Sequence, residues 1–191
     1  MKKKLVCIIG PSACGKDTIY QKVLKKSSVC SPVVRYTTRP KRDYEIEGKD
    51  YYFINNEEFT EKVLNCEMAE AAEFNNWFYG TGKDVLKDDL INVMTCDFNA
   101  AEALCSDSDL FTIVIYIEAT PKERLLRALN REKDPDVDEI IRRFIDDERK
   151  YSKDNMLALP YYSIKNNSKT QLKSAVGEVC SYINNFYSKE I

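Results

Sequence analysis

Short continuous apolar runs alternate along the chain with segments in which apolar residues recur every three or four positions. The first pattern is typical of strands buried on both faces of a parallel sheet, and the second of helices that pack one face on such a sheet. Buried strands are predicted at residues 4–9, 91–96, 110–117 and 161–165. Helices are predicted at residues 15–26, 99–105 and 120–130, and from residue 168 onward. This alternation predicts an α/β fold of three layers, with a parallel core sheet between two layers of helices.

Two stretches interrupt the alternation and are interpreted as insertions. The first insertion, residues 33–90, contains strand candidates at 33–34 and 51–54, a helix at 56–64, a hairpin at 68–79 and a second helix at 83–90. The second, residues 131–157, is highly charged and predicts one long helix over 137–157. No Gly/Ser/Pro-rich linker separates these parts, so residues 1–191 are expected to form a single domain with a core at 1–32, 91–130 and 158–191.

The composition removes several classes of function. The chain has no histidine, which excludes Ser-His-Asp triads, Cys-His pairs and histidine-ligated zinc. Its seven cysteines include no C-x-x-C pair, so we expect reduced thiols and a cytoplasmic protein. The net charge of −2 argues against nucleic-acid binding, and no apolar run approaches the length of a membrane span. Whether the protein is a monomer or a dimer is left open.

A phosphate-binding loop is predicted between the first strand and the first helix. The segment 10–16 fits the pattern G-x-x-x-x-G-K, whose main-chain N–H groups and lysine hold the phosphates of ATP. The alternative is a tight turn followed by a solvated lysine. The residues expected to bind ATP here are Gly10, Ser12, Ala13, Cys14, Gly15, Lys16, Asp17 and Thr18. Asn-Lys-x-Asp and Asp-x-x-Gly motifs are missing from the sequence, which favours a small kinase over a GTPase.

Two details of this loop leave alternatives open. Asp17 stands where a Ser or Thr usually follows the lysine, so Asp17 or Thr18 is expected to reach Mg²⁺, either directly or through water. An equally good interpretation is that Asp17 has no metal role and is a carboxylate in the first turn of the helix, where the helix dipole stabilises negative charge. Cys14 lies at a helix N-terminus, where a reactive thiolate is favoured; the alternative is a packing role.

A cationic segment at residues 35–42 predicts an anion site. It contains Arg35, Arg39, Lys41 and Arg42, interleaved with hydroxyl-bearing side chains. Such a cluster in an acidic protein is typical of phosphate binding, although a solvated loop face is the alternative.

Together with the phosphate loop, four ordered motifs make the chain similar to the guanylate kinase family. They are Thr37-Thr38-Arg39 with Arg42, the segment Gly48-Lys49-Asp50-Tyr51-Tyr52-Phe53, Glu70, and Tyr79-Gly80-Thr81. The resemblance is strongest over residues 5–97. It implies a P-loop kinase fold with an inserted lobe that binds the nucleoside monophosphate, at about 33–90, and a helical lid at about 131–157.

The resemblance also implies roles for individual residues. A clamp for the phosphate of GMP would consist of Arg39, Arg42, Tyr51 and Tyr79, with Arg35 adding charge where the family has a serine. Glu70 and Thr81 would read the guanine edge. Asp97, which ends a buried strand, would bind GMP and hold Mg²⁺ through water, although Thr95 stands in place of a second acid. Lid arginines Arg131 and Arg143 would act with Lys16 and Arg39 in catalysis, and Asn166 would contact adenine.

The expected reaction converts MgATP and GMP (or dGMP) into ADP and GDP (or dGDP). The attacking phosphate oxygen is already anionic, so no general base is required, which suits a chain without histidine. Two alternatives remain. One is a kinase of the same fold that acts on another nucleotide or a sugar phosphate; the other is a non-catalytic module that binds phosphopeptides.

Overall fold

The computed structural model describes residues 2–74, 76–131 and 133–188. Of Ser188 it describes the backbone alone. Asn75, at the tip of the predicted hairpin, lies outside the described residues. In chain order the elements are β1 (Lys3–Ile9), α1 (Lys16–Lys26), β2 (Cys30–Pro32), β3 (Arg35–Thr37), β4 (Tyr51–Phe53), α2 (Asn56–Leu64), β5 (Met68–Phe74), β6 (Trp77–Gly82), β7 (Ile91–Thr95), α3 (Phe98–Ser106), β8 (Leu110–Glu118), α4 (Pro121–Leu129), α5 (Val137–Lys150), α6 (Lys153–Leu157), β9 (Tyr162–Lys165) and α7 (Gln171–Ser188).

The central sheet has five parallel strands in the order β2-β7-β1-β8-β9. All four strands predicted from continuous apolar runs lie in it, and the predicted α/β class is confirmed. The apolar runs are explained by burial on both faces: Leu5, Val6, Cys7, Ile8 and Ile9 are all fully buried.

Two hydrophobic cores, one on each face of this sheet, produce the three layers. Val6 and Ile8 point to the face covered by α1 and α7. Leu5, Cys7 and Ile9 point to the opposite face, which is covered by α3 and the segment around α6. The alternation follows from the two-residue period of a strand. The Tyr187 hydroxyl donates to the carbonyl of Leu5 (O···O 2.8 Å) and anchors α7 to the central strand.

A second, four-stranded sheet is built from the insertion that follows β2. Its strand order is β4-β3-β6-β5, and β5 and β6 form the predicted hairpin. The predicted strand at 33–34 is displaced: these residues lie between β2 and β3.

The helix predicted at 83–90 is wrong, because other groups take the main-chain hydrogen bonds of this segment. The Lys3 ammonium donates to the carbonyls of Lys83 (3.1 Å) and Leu86 (2.9 Å). The Asn92 side chain accepts from the Lys87 N–H and donates to the Lys87 carbonyl, both at 2.8 Å. An irregular turn satisfied by side chains thus replaces the helical ladder.

The single helix predicted over 137–157 is also corrected, since α5 ends at Lys150 and α6 starts at Lys153. Ser152 caps α6 by accepting from the Asn155 N–H. The Asn155 side chain donates to the carbonyls of Arg149 and Lys150, both at 3.1 Å. These local polar bonds compete with helix continuation and explain the break.

Candidate active site

The predicted phosphate loop lies between β1 and α1 and is shaped by positive backbone dihedrals. Gly10 has φ +148° and Gly15 has φ +94°, which L-residues rarely adopt. A Cβ on Gly10 would lie 2.7 Å from the Ile117 carbonyl, and one on Gly15 would lie 2.5 Å from Asn166 Nδ2. Both glycines are therefore required by the loop. Asp17 and Thr18 are exposed in the first turn of α1.

The Cys14 side chain is directed into the core and is fully buried. Burial raises the pKa of its thiol, against the opposing effect of Lys16. A protonated, buried thiol favours the packing role over the reactive thiolate.

The side chains of Arg127 and Asn166 hold the phosphate loop by hydrogen bonds to its main-chain carbonyls. The Arg127 guanidinium donates to the carbonyls of Cys14 (3.0 Å) and Asn166 (2.8 Å). Asn166 Nδ2 donates to the same Cys14 carbonyl (2.8 Å). The Asn166 side chain is buried and its Oδ1 has no hydrogen-bond donor within the described part of the chain. The position predicted to meet adenine thus holds a buried acceptor without a partner.

The helix α5 is joined to the phosphate loop through Arg124. Its guanidinium donates to Asp147 (3.0 Å), Glu148 (2.7 Å) and the Ser12 carbonyl (3.1 Å), and it lies 4.4 Å from the Phe144 ring centre. The Ser12 N–H in turn donates to Asp147 Oδ2 (2.7 Å). A carboxylate of α5 therefore occupies one of the main-chain N–H groups expected to bind phosphate.

A cleft of about 200 Å³ opens beside the loop, lined by Gly10, Ser12, Lys16, Thr95, Cys96, Asp97, Asp147, Lys150 and Tyr151. The Lys150 ammonium donates to Asp97 Oδ2 (3.1 Å), and Asp97 Oδ1 caps α3 through the Ala100 N–H (3.0 Å). Burial would raise the pKa of Asp97, but the Ala100 N–H and Lys150 outweigh it and lower that pKa. Asp97 is consequently ionised at neutral pH and faces the cleft with two lysines.

The two predicted lid arginines line a second cavity of about 240 Å³, together with Ser12 and Ala13. Arg143 Nε donates to Glu139 (2.6 Å), which also pairs with Arg142. These two arginines lower the pKa of Glu139 to about 2. Arg142 additionally pairs with Asp146 (2.9 Å), an arrangement typical of a charged helix surface.

The predicted phosphate clamp lies on the second sheet and the loop that follows β3. Arg39 forms a two-pronged ion pair with Glu45 (2.6 and 3.0 Å), which raises the pKa of Arg39 and lowers that of Glu45. The same guanidinium lies 5.7 Å from the ring centre of Tyr51, and the rings of Tyr51 and Tyr79 are 5.9 Å apart. Arg42 donates to the Tyr44 hydroxyl (2.8 Å). Three of the four predicted clamp residues are thus clustered, with Arg42 on the adjoining loop.

Arg35, Glu70 and Thr81 form a second polar group on this sheet. Arg35 donates to Glu70 Oε1 from Nε (3.1 Å) and NH2 (2.6 Å), and the Thr81 hydroxyl donates to the same oxygen (2.7 Å). Burial works against the charge of Arg35, but Glu70 more than offsets it and raises the pKa of Arg35. Glu70 Oε2 is buried and has no donor among the residues that the structure describes. The structure thus connects Arg35 to Glu70, whereas the sequence suggested a contact with phosphate.

Four residues that sequence reasoning did not select surround the phosphate loop: Arg124, Arg127, Asp147 and Lys150. A signal was present for the two arginines, because positions three apart on α4 share a helix face. Asp147 and Lys150 carry no comparable signal, since their roles depend on how α5 packs against the loop.

Comparisons with known proteins agree with these features. A family model described as guanylate kinase matches residues 2–183. The guanylate kinase of Thermotoga maritima is 42% identical over 99 residues, which cover 46% of this chain and 48% of that protein. The guanylate kinase of Wolbachia pipientis wMel is 31% identical over 153 residues, covering 78% of this chain and 76% of the relative. Protein PALS1 of Danio rerio is 30% identical over 146 residues, 73% of this chain but 21% of that protein.

Among solved structures, the crystal structure of guanylate kinase from Anaplasma phagocytophilum superposes with a TM-score of 0.67 at 24% identity. The match covers 99% of this chain and 86% of that one, and it shows the same fold. The chain spans about half the length of the T. maritima relative. None of the helices within the described residues is long and apolar enough to cross a membrane. Because the family model covers nearly the whole chain, the chain belongs to the guanylate kinase family.

Proposed function

We propose that the protein transfers the γ-phosphoryl group of ATP to GMP or dGMP. One observation carries the proposal. Two buried side-chain acceptors lack a donor within the described residues, Glu70 Oε2 and Asn166 Oδ1. Glu70 is the residue that the family resemblance places at the guanine of GMP, and Asn166 is the residue that it places at the adenine of ATP. Buried polar atoms without partners are rare in proteins, so donors from two bound purines explain both.

The donor site would be formed by the phosphate loop. Its N–H groups and Lys16 hold the β- and γ-phosphates, while Asn166 Oδ1 accepts from the amino group of adenine. Asp147 now accepts from the Ser12 N–H, so a phosphate oxygen that reaches Ser12 replaces this carboxylate. The phosphate therefore competes with an ion pair of α5 for the same donor.

The acceptor site would lie on the second sheet. Arg39 and Arg42 bind the acceptor phosphate with Tyr51 and Tyr79, and Glu45 holds the Arg39 guanidinium in place. The chemistry is in-line: an anionic oxygen of the monophosphate bonds to the γ-phosphorus as the bond to the β-γ bridging oxygen breaks, leaving ADP. Lys16, Arg39, Arg131 and Arg143 stabilise the charge spread over the transferring group.

The residues present fit Mg²⁺ bound mainly through ATP. The described residues contain no group of three or more acidic, cysteine or histidine side chains that could hold a metal alone. The ionised Asp97, which lines the same cleft as Lys16, would supply one carboxylate, which suits a cation that keeps waters and phosphate oxygens as its other ligands. Mg²⁺ would neutralise charge on the phosphates, with Asp97 holding it and exposed Asp17 or Thr18 reaching it through water.

The insertions would act as closing parts of one domain. We infer that the lobe at about 33–90 brings the acceptor to the phosphate loop and that the lid at about 131–157 covers the donor. The ion pairs of Arg124 with Asp147 and Glu148 connect the lid to the loop. Closure would exclude water and suppress hydrolysis of ATP.

A coupled assay across nucleoside monophosphates tests the proposal. With MgATP as donor, GMP and dGMP should be phosphorylated, and AMP, CMP and UMP should be used at least about a hundredfold less well. Preference for AMP, a pyrimidine nucleotide or a sugar phosphate would overturn the assignment. Failure to bind MgATP would instead support a non-catalytic module.

A further inference from the structure

A row of three polar side chains crosses the second sheet on adjacent strands. Arg35 lies on β3, Thr81 on β6 and Glu70 on β5, and these strands are neighbours in the order β3-β6-β5. Glu70 and Thr81 are direct partners in the β5-β6 register. Side chains on one face of neighbouring strands lie side by side, so the central carboxylate receives donors from both other strands.

The Oε1 oxygen of Glu70 is saturated. It accepts from Arg35 Nε at 3.1 Å, Arg35 NH2 at 2.6 Å and the Thr81 hydroxyl at 2.7 Å. A carboxylate oxygen has about two lone-pair directions, so three donors leave no capacity for a fourth. A ligand therefore cannot use this oxygen while Arg35 remains in place.

The Oε2 oxygen of the same carboxylate is the acceptor that lacks a donor among the described residues. The Glu70 side chain is 1% exposed, and Oε2 has no donor within the described residues. Because an ionised oxygen is costly to bury without a hydrogen bond, the fold keeps a single acceptor position for a ligand N–H. Arg35 uses two of its five N–H groups on Oε1, which leaves three N–H groups on the same guanidinium that do not bond Glu70.

The following inference rests on the proposed function and concerns which bases the acceptor site takes. On the edge that carries positions 6, 1 and 2, guanine presents one acceptor, O6, and two donors, N1–H and the 2-amino group. One free carboxylate oxygen can make a strong bond to only one of these donors. We propose that Arg35 is a specificity-determining residue that, by occupying Glu70 Oε1, makes the site recognise the O6 and N1–H edge shared by 6-oxopurine monophosphates, with or without a 2-amino group.

In this arrangement Glu70 Oε2 accepts from N1–H, and the remaining Arg35 N–H groups donate to O6. Inosine monophosphate presents the same two groups as GMP and lacks the 2-amino group. Adenine reverses both, because its N1 is an acceptor and its 6-amino group is a donor. The site therefore accepts inosine monophosphate along with GMP and excludes AMP.

Steady-state kinetics with MgATP and either GMP or inosine monophosphate test the inference. The wild-type protein should show values of kcat/KM for the two that lie within about tenfold of each other. Arg35→Ser frees Oε1 to accept from the 2-amino group, so the preference for GMP should rise by about tenfold or more. Arg35→Met, which keeps side-chain bulk but donates nothing, should shift the ratio in the same direction. Arg35→Lys keeps a cationic donor and should retain more of the wild-type ratio than Arg35→Met does.

Calorimetry without ATP measures the Kd of each monophosphate, and the ratio of the two Kd values reports the preference independently of catalysis. Thermal unfolding shows that each variant is folded. A wild-type preference for GMP above a hundredfold, or an unchanged ratio in both Arg35→Ser and Arg35→Met, overturns the inference while leaving GMP phosphorylation intact. If the wild-type protein phosphorylates inosine monophosphate but not GMP, the proposed function fails and the single-acceptor site stands.

Discussion

The phosphate loop and the proposed acceptor surface of the second sheet are held in shape in different ways. The loop is shaped by main-chain dihedrals at Gly10 and Gly15, and its carbonyls are held by Arg127 and Asn166. The acceptor surface is held by side-chain ion pairs, Arg39 with Glu45 and Arg35 with Glu70. Backbone geometry is set by residue type at a few positions, whereas each ion pair depends on two residues at once. Arg39 and Glu45 lie six positions apart on one loop, and Arg35 and Glu70 lie on different strands.

This difference has a consequence for robustness. Changes to a glycine should damage the loop through strain, independently of pH. Changes to a charged partner should damage the acceptor surface electrostatically, and acid should mimic them. Three substitutions, one at Lys16, one at Gly15 and one at Glu45, should separate these two kinds of damage.

Removal of the single lysine of the phosphate loop gives the largest expected effect. Lys16→Ala should lower kcat by about 100- to 1000-fold with the fold intact, because it removes a fixed positive charge from the transferring phosphates. Steady-state kinetics and thermal unfolding provide the measurements. Lys22→Ala, an exposed lysine on the same helix, is the matched control and should be near wild type. Near-normal turnover in Lys16→Ala would contradict the assigned phosphate loop.

Substitution of two glycines, one in the phosphate loop and one in α7, tests whether main-chain geometry holds the loop in shape. Gly15→Ala places a Cβ 2.5 Å from Asn166 Nδ2 at φ +94°, and should cost about 1–3 kcal/mol of unfolding free energy and raise KM for ATP. Gly177→Ala, in α7, meets nothing within 4 Å and should stabilise the protein by about 0.5–1 kcal/mol. Urea unfolding measures both. Equal effects of the two changes would show that loop geometry is not the constraint.

The smallest effect is a pH-dependent one at the acceptor surface. Arg39 lowers the pKa of Glu45 below its usual 4.5, so the ion pair stabilises the folded protein above that pH and the contribution is lost as pH falls through the lowered pKa. Glu45→Gln should therefore cost about 1 kcal/mol at pH 7, and this difference should be smaller at pH 3, below the usual pKa of 4.5.

Urea unfolding at both pH values checks this prediction. Glu102→Gln, an exposed carboxylate on α3, serves as the control and should change the unfolding free energy little at either pH. A cost for Glu45→Gln that persists undiminished in acid would mean that packing, rather than charge, holds Arg39.

The two regions also differ in how much of their structure could be predicted from the sequence. The strands of the central sheet and the phosphate loop were predictable, because continuous apolar runs and two glycines before a lysine each have a local physical cause. The helix at 83–90 was not, since Lys3 and Asn92 redirect its hydrogen bonds from elsewhere in the chain. The sequence predicted that Arg35 contacts a phosphate, because its position in a cationic segment reveals its charge but not its partner. That partner, Glu70, is determined by the order of strands in the second sheet.

The order of strands in the central sheet also determines when the protein can fold during synthesis. β1 lies between β7 and β8, so residues 3–9 acquire their lateral partners only after the ribosome has made residues 91–118. The Leu5 carbonyl then receives the Tyr187 hydroxyl from the last helix. A nascent chain must therefore carry an unpaired apolar strand until residue 118 has been made, which makes slow elongation before that point a hazard for aggregation.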